Sequence, residues 1–589
     1  HYSQLNFLTM VNVKNLFGMA VVATALVSCS SSDDLATDGK GNENKTEAAY
    51  ASFKINLPTT TGTRATPGEP TLVPGEAKEY EVKNGTILIF DASTDKYVTS
   101  AQLGTMNPWT TVNSGGVTTA AIATVQLSNV SVTGSYKALV LLNNDVDATT
   151  KKVTLPTTTD TYATWSKDVD KVNVDKYMST DGIFMANAPM HTGTSTEPTT
   201  LVDVKNICAS REEAQAKTAT TVYVERGLAK VTMKNFDASY TIAAGTYKDD
   251  EVVIKNWQLD VTNKSTFPIH QTGTLMTNWD QIWNTDRFYD KDNGTFKRVY
   301  WGTDPNYSNN KLFEGTTSPA TAKTALEYCK ENFNMITNAK VLGEAGDDKP
   351  QYCLENTFNL DNMKQGQTTR VVFKAVYTPK ALVGKTDKTF YKIGNNTAIW
   401  TATTLSQHIL AVALTAMGIT DATEQAKYGV DLSAGTNIGG KAGLHLIAKE
   451  NITFHNGTAT PATTSQVTDE IVKKINEKLG LKKEGGKITT GISTYLNGEA
   501  YYIARIKHFN ELTHWTAGTA YGTDNATFLG RYGVLRNNWY SLSVSTVSGL
   551  GYPEVPEVKP NVPDDENDQY INVEVKILDW AKRTQDINL

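Results

Sequence analysis

Residues 50–67 read YASFKINLPTTTGTRATP, and they constrain the fold more than any other stretch of the chain. Ala51, Phe53, Ile55 and Leu57 are apolar, while Ser52, Lys54 and Asn56 between them are polar. A period of two marks a half-buried β-strand. Pro58 ends it, and a Thr- and Gly-rich run leads to Arg64, the first arginine of the chain and the only basic residue between Lys54 and Lys78. A strand that belongs in a sheet is therefore tied to its domain by a loop of the kind proteases cut. Near the other end, Ile571, Val573, Val575 and Ile577 alternate with Asn572, Glu574 and Lys576. One strand is severable and the other terminal, and their matching patterns imply that one can replace the other.

With 589 residues, 39% of them hydrophobic and 20% charged, the chain has the size and composition of a folded protein of two to four domains. Its many Thr, Gly, Asn and Tyr residues favour β structure. A net charge of −6 without a basic stripe argues against nucleic acid as a partner. The four cysteines are Cys29, Cys208, Cys329 and Cys353. Cys329 and Cys353 could form a bridge, but buried free thiols acting as small apolar residues are the favoured state.

Residues 1–9 look like an extension upstream of Met10. From there Lys14 and an apolar run from Leu16 to Val27 form a secretion signal (residues 1–29 with the extension). About a dozen apolar residues are too few to span a bilayer, which needs about 20. The run closes on Leu26-Val27-Ser28-Cys29, similar to the bacterial lipoprotein cleavage box, in which the cysteine carries the acyl groups. The polar stretch Ser30–Lys45 reads as a tether. With the strand after it, it forms a removable segment, residues 30–64.

Strand patterns follow at Thr86–Phe90, Ala121–Val132 and Tyr136–Leu142, without alternating helices or a G-x-G-x-x-G turn, so the expectation is an antiparallel sandwich. In TVYVERGLAKVTMK (221–234), Gly227 interrupts a strand, which places a domain boundary near residue 225. The expected division is thus 65–225 and 226–589. The second part holds strands at Val252–Val261, Thr369–Tyr377, Tyr501–Phe509 and Tyr532–Gly551. Helical inserts are expected at Pro319–Ile336, at Leu405–Ile419 (nearly all apolar, hence buried) and at Val467–Gly480. The Pro-rich, acidic stretch 552–568 reads as a spacer that holds the terminal strand, 570–589, away from the preceding domain.

Taken together, the lipobox at Cys29, the strand–loop–Arg64 unit, VERGLAKV (224–231), NWQLDVTNKS (256–265), YCLENTF (352–358), YGVLRNNWYSLSV (532–544) and ILDWAKRTQDINL (577–589) resemble the type V pilins of the Bacteroidales. The likeness is greatest to the minor-fimbrium (Mfa-type) fimbrillins. It implies a mainly β protein, with two transthyretin-like antiparallel sandwiches in tandem and helical inserts in the second. It also implies export as an outer-membrane lipoprotein acylated on Cys29, and cleavage of Arg64–Ala65 by a trypsin-like, Arg-specific protease at the cell surface. In such a family the groove left by Ala51, Phe53, Ile55 and Leu57 accepts the donor strand of a neighbour, here carried by Ile571, Val573, Val575 and Ile577. The implied partners are identical subunits in a head-to-tail polymer, with anchor and tip subunits. The product would be a fimbrial stalk supporting adhesion or biofilm formation.

No H-E-x-x-H, C-x-x-C or G-x-S-x-G is present, and the eight histidines lack metal-ligand spacing, so neither catalysis nor a cofactor is expected. Asp290–Gly294 departs from a calcium loop in the position of its glycine and in lacking the twelfth-position Glu. Two other readings remain open. A surface glycan-binding lipoprotein could stack sugars on Trp279, Trp283, Tyr289, Tyr300 and Trp301. A tip or accessory adhesin is expected to lack a working terminal strand, whereas this chain has one.

Overall fold

The computed structural model describes residues 48–57, 79, 82–103, 110–114, 117–147, 149–167, 170–171, 174–179, 182–191, 198–272, 297–299, 301–308, 324–357, 362–455, 465–508, 528–564 and 571–579. The leader with Cys29, the tether, the Arg64–Ala65 bond and the 290–294 loop lie outside these, as do Trp279, Trp283, Tyr289 and Tyr300.

The protein is mainly β. Its N-terminal strands are β1 (Ala49–Asn56), β2 (Gly85–Asp91), β3 (Tyr97–Leu103), β4 (Thr110–Ser114), β5 (Val117–Leu127), β6 (Tyr136–Leu142), β7 (Met185–Asn187), β8 (Val202–Asp203) and β9 (Thr220–Arg226). They form one sheet in the order β3-β2-β6-β7-β9-β1-β5-β4, with β8 on β6. The sheet wraps around a core of Phe53, Ile55, Ile87, Ile89, Val125, Val140, Val222 and their neighbours. Both faces of β2 are buried, as its unbroken apolar run TILIF requires. A short helix, α1 (Arg211–Ala216), capped by Ser210, lies against β1 and β5.

After Gly227 the chain passes into β10 (Ala229–Met233), which belongs to a different sheet. The strands that follow are β11 (Tyr240–Thr241), β12 (Glu251–Asp260), β13 (Gly346–Cys353), β14 (Arg370–Thr378), β15 (Glu499–Arg505), β16 (Asn538–Val547) and β17 (Ile571–Asp579). Two four-stranded sheets result, β13-β10-β16-β17 and β11-β12-β14-β15. They enclose a second core around Val231, Trp257, Phe373, Tyr502, Tyr540 and Leu542. A third cluster joins the two halves: Leu88, Leu139 and Leu141 meet Leu228, Leu354 and Trp539.

Two pairings depart from an all-antiparallel sandwich: β1 runs parallel to β9, and β10 parallel to β16. In each pair a long stretch of chain separates the partners, which leaves ample length for the crossover that parallel neighbours need. Local alternation carries no information about so distant a partner.

Residues 379–498 form the helical insert, between the neighbouring antiparallel strands β14 and β15. Upstream of it, α2 (Ala325–Asn332) starts in a capping box between Thr324 and Glu327. Within it, α3 (Ala402–Met417) starts at Thr401 and stops at Gly418, whose φ of 72° is left-handed. The expectation that α3 is buried throughout is not met: Leu405, Ile409 and Ala413 form one inward stripe, and its other residues are half-buried or exposed. Helix α4 (Asp469–Lys478), capped by Thr468, packs on α3 through Ile475, as its apolar stripe implies.

The 552–568 stretch does not act as a spacer. Its described part, 552–564, lies along the C-terminal half. Tyr552 exchanges two 2.8 Å backbone bonds with Tyr501, Arg370 Nη2 donates to Pro556 O (2.8 Å), and Gln365 N donates to Val562 O (2.9 Å). Asp564, itself buried, accepts from Thr368 Oγ1 at 2.8 Å. Its prolines stiffen a path several of whose N–H and C=O groups are bonded to the domain, and β17 pairs back in the same half.

Cys208, Cys329 and Cys353 are buried free thiols, and no Cys329–Cys353 bridge forms. Burial pushes the thiols of Cys329 and Cys353 up to about 12, which keeps them unreactive.

Candidate functional site: the first-strand slot and the terminal strand

Strand β1 lies inside its sheet, not at an edge. Along β5 its antiparallel register runs from Ala49–Leu127 through Phe53–Ala123 to Asn56–Ala120. Along β9 its parallel register runs from Phe53–Thr220 to Asn56–Tyr223. Further back, Tyr50 and Cys208 exchange two backbone bonds of 2.8 Å. Both edges of β1 are therefore hydrogen-bonded.

The alternation seen in the sequence corresponds to the core. Ala49, Ala51, Phe53 and Ile55 have no solvent exposure, and Leu57 is also buried. Full burial of each of Phe53, Ile55 and Leu57 is worth roughly 1.5–3 kcal/mol. Withdrawing β1 would open a slot between two strands that cannot pair with each other without moving the sheet. Whole domains are stable by only about 5–15 kcal/mol.

The terminal residues sit differently. Ile571, Val573, Val575 and Ile577 lie on β17, which pairs antiparallel with β16 (Ile571 with Val547, Val573 with Val544, Val575 with Leu542, Ile577 with Tyr540). Val573 is half-buried against the second core. β17 ends its sheet, and among the described residues nothing pairs with its outer edge. The two strands belong to different sheets and do not meet within one chain.

Glu79 is a residue that the sequence reading missed. It is fully buried, and its carboxylate sits 2.7 Å from Lys230 Nζ and accepts from the Tyr352 hydroxyl. Its carbonyl accepts from Arg226 Nε at 3.0 Å, and Lys230 Nζ lies 3.9 Å above the Trp539 ring. The chain just beyond the Arg64 loop is thus pinned where the two halves meet. A lone Glu in a Pro/Gly-rich loop carries no signal of this, because its partners come from two distant segments, 226–230 and Tyr352.

Two features bear on the other readings. Trp301 is completely buried and offers sugars no stacking surface. His270 pairs with Glu225 (2.7 Å), His508 with the Tyr540 hydroxyl (2.7 Å), and His445 with the carbonyls of Lys441 and Thr436, so these histidines hold the fold together.

Taken together, the geometry is that of a β protein with one fully enclosed first strand, β1, and one edge-lying strand, β17. Residues 493–586, which include β15, β16 and β17, match the family described as major fimbrial subunit protein type IV, fimbrillin, C-terminal. No curated protein sequence matches the chain. Among solved structures, the chain is similar to one described as a cell adhesion protein from Parabacteroides distasonis ATCC 8503 (11% identity, TM-score 0.36, 91% of this chain and 98% of that one). It is also similar to a fimbrial assembly protein from the same organism (14%, TM-score 0.24, 38% and 68%). A third likeness is to the tip fimbrial protein Mfa3 from Porphyromonas gingivalis with a C-terminal truncation (10%, TM-score 0.29, 90% and 100%).

Proposed function

We propose that this chain is a structural stalk subunit of a cell-surface fimbria. It is exported as a lipoprotein acylated at Cys29 and trimmed after Arg64. It is then polymerised when the terminal strand of one subunit fills the slot that β1 vacates in the next. The single observation that carries this reading is the position of β1: an interior strand, hydrogen-bonded on both edges and buried on its apolar face, whose only onward link passes through the loop containing Arg64. The match of residues 493–586 to the fimbrillin C-terminal family supports it independently. Losing β1 exposes two sheet edges and an apolar trough, which invites another strand. Such a head-to-tail contact does not close on itself and gives a filament. The presence of β17 favours a stalk role over a tip role.

The test is to recover the protein from the cell surface, determine its N-terminus, and run it unheated and heated on a gel. Ala65 at the N-terminus of heat-resistant ladders, with both lost in Arg64→Ala, is the expected result. Ladders from protein still acylated on Cys29 would overturn it.

A further inference from the structure

The slot is closed on its outer side at one place. Ser52 points away from the apolar core, yet it is only 4% exposed because α1 covers it, while its outward neighbours Tyr50, Lys54 and Asn56 are half-buried. Ser52 Oγ donates to Ala214 O (2.8 Å) and lies 2.7 Å from Thr124 Oγ1, which therefore supplies the hydrogen to it. Thr124 is itself buried, and its carbonyl accepts from Arg211 Nη1 at 2.7 Å. The Arg211 guanidinium in turn lies 5.6 Å over the Tyr50 ring. Thr124, Ala214 and Arg211 thus enclose a small polar cell beside the slot, with one hydroxyl to donate and one carbonyl to accept.

We propose that this cell sets the register of the incoming strand by selecting Asn572, an inference that rests on the strand-exchange reading above. A strand entering in the direction of β1 keeps the antiparallel ladder with β5, the longer of the two pairings. Alternation then leaves three registers. With Ile571 in the place of Ala51, Asn572 takes the place of Ser52. Its amide can donate to Ala214 O and accept from the Thr124 hydroxyl. With Ile571 in the place of Ala49, Glu574 enters instead, and a carboxylate with no hydrogen to give faces the Ala214 carbonyl in a closed space. That register also sets Asp579 in the place of the buried Leu57, whereas the first keeps Ile577 there and sets Ile571 at Ala51 and Gln569 at Ala49. With Ile571 in the place of Phe53, the ring of Tyr570 must fit where a serine is sealed in. Only the first register fills the cell with a small group that meets both hydrogen-bonding partners.

The register is read by cysteine trapping between subunits trimmed at Arg64. Acceptor Thr124→Cys is mixed with donor Asn572→Cys or donor Glu574→Cys, and covalent dimers are scored on non-reducing gels. Directly opposed residues have Cβ atoms about 4.5–5.5 Å apart and diagonal ones about 7–8 Å. The Asn572→Cys donor should therefore link on the order of tenfold more than the Glu574→Cys donor. In a second readout, Asn572→Leu should slow assembly several-fold, whereas Lys576→Leu and Asn572→Ser should not. Fibres in which Glu574→Cys links as well as or better than Asn572→Cys, or in which Asn572→Leu assembles normally, would overturn the register and leave strand exchange standing. Fibres in which neither pair links would also overturn the register, because the third register sets Tyr570 opposite Thr124, whereas fibres that form equally well from trimmed protein lacking residues 570–589 would overturn strand exchange itself.

Discussion

Strands β1 and β17 have nearly the same apolar alternation and opposite situations. β1 is interior, bonded on both edges, with a fully buried apolar face and Ser52 sealed beneath α1. Among the described residues β17 is an edge strand paired with β16 alone, and Val573 on it is only half-buried. The difference shows that alternation reports which face of a strand is apolar, while its neighbours decide how tightly the strand is held. Under the proposed exchange, the strand to be removed is the better held and the strand to be donated the more easily released. Exchange would then need a covalent cut on one side and only an edge opening on the other.

The largest effect should come from the cut itself. Dilute protein trimmed at Arg64 is expected to lose its cooperative thermal transition in the N-terminal half or to aggregate, while uncut protein stays monomeric, as followed by calorimetry and size-exclusion chromatography. Next come single residues that secure the slot and its surroundings. Phe53→Ala should cost about 3–5 kcal/mol, and Glu79→Ala a similar amount of about 3–5 kcal/mol, because it removes the carboxylate 2.7 Å from the buried Lys230 ammonium. Val573→Ala in the uncut chain should cost only about 1 kcal/mol, since it removes half-buried methyl groups from an edge. Denaturant titration of the three variants orders them, and equal costs for Phe53→Ala and Val573→Ala would erase the contrast between the strands.

A further contrast separates the halves by pH. Asp304, in the C-terminal half, is buried among Asn263, Asn306 and Thr357. Burial lifts its carboxyl from 3.8 to about 8, against the N–H groups of Asn306 and Thr357, which pull it down. The folded form thus holds a proton that the unfolded form releases above 3.8. Its contribution is full below that value and is lost as pH rises through about 8. Asp304→Asn should flatten the fall in stability of the C-terminal half over this range and leave the N-terminal half unchanged.

Much of this was legible in the sequence. The inward residues of β1, the buried run of β2, the passage between sheets at Gly227 and the presence of helices α2 and α4 all rest on local pattern. What escaped depends on distant partners. The parallel mate of β1, Thr220–Arg226, cannot be inferred from alternation. Ser52 reads as solvent-facing until α1 covers it, and Glu79 reads as a loop acid until Lys230 and Tyr352 reach it. The proline-rich 552–564 stretch reads as a spacer because its composition does not reveal that Arg370, Gln365 and Tyr501 bind its backbone. Helix α3 reads as buried because its half-buried flanks, with Leu410, Val412, Leu414 and Met417, are apolar as well.

The most direct measurement is hydrogen exchange at the amides of β5, Ala120–Leu127, in uncut monomer, trimmed monomer and fibre. Protection that is present, lost and then restored across these three states is the expected result. Amides equally protected before and after trimming would mean that the slot never opens, contradicting exchange at this site.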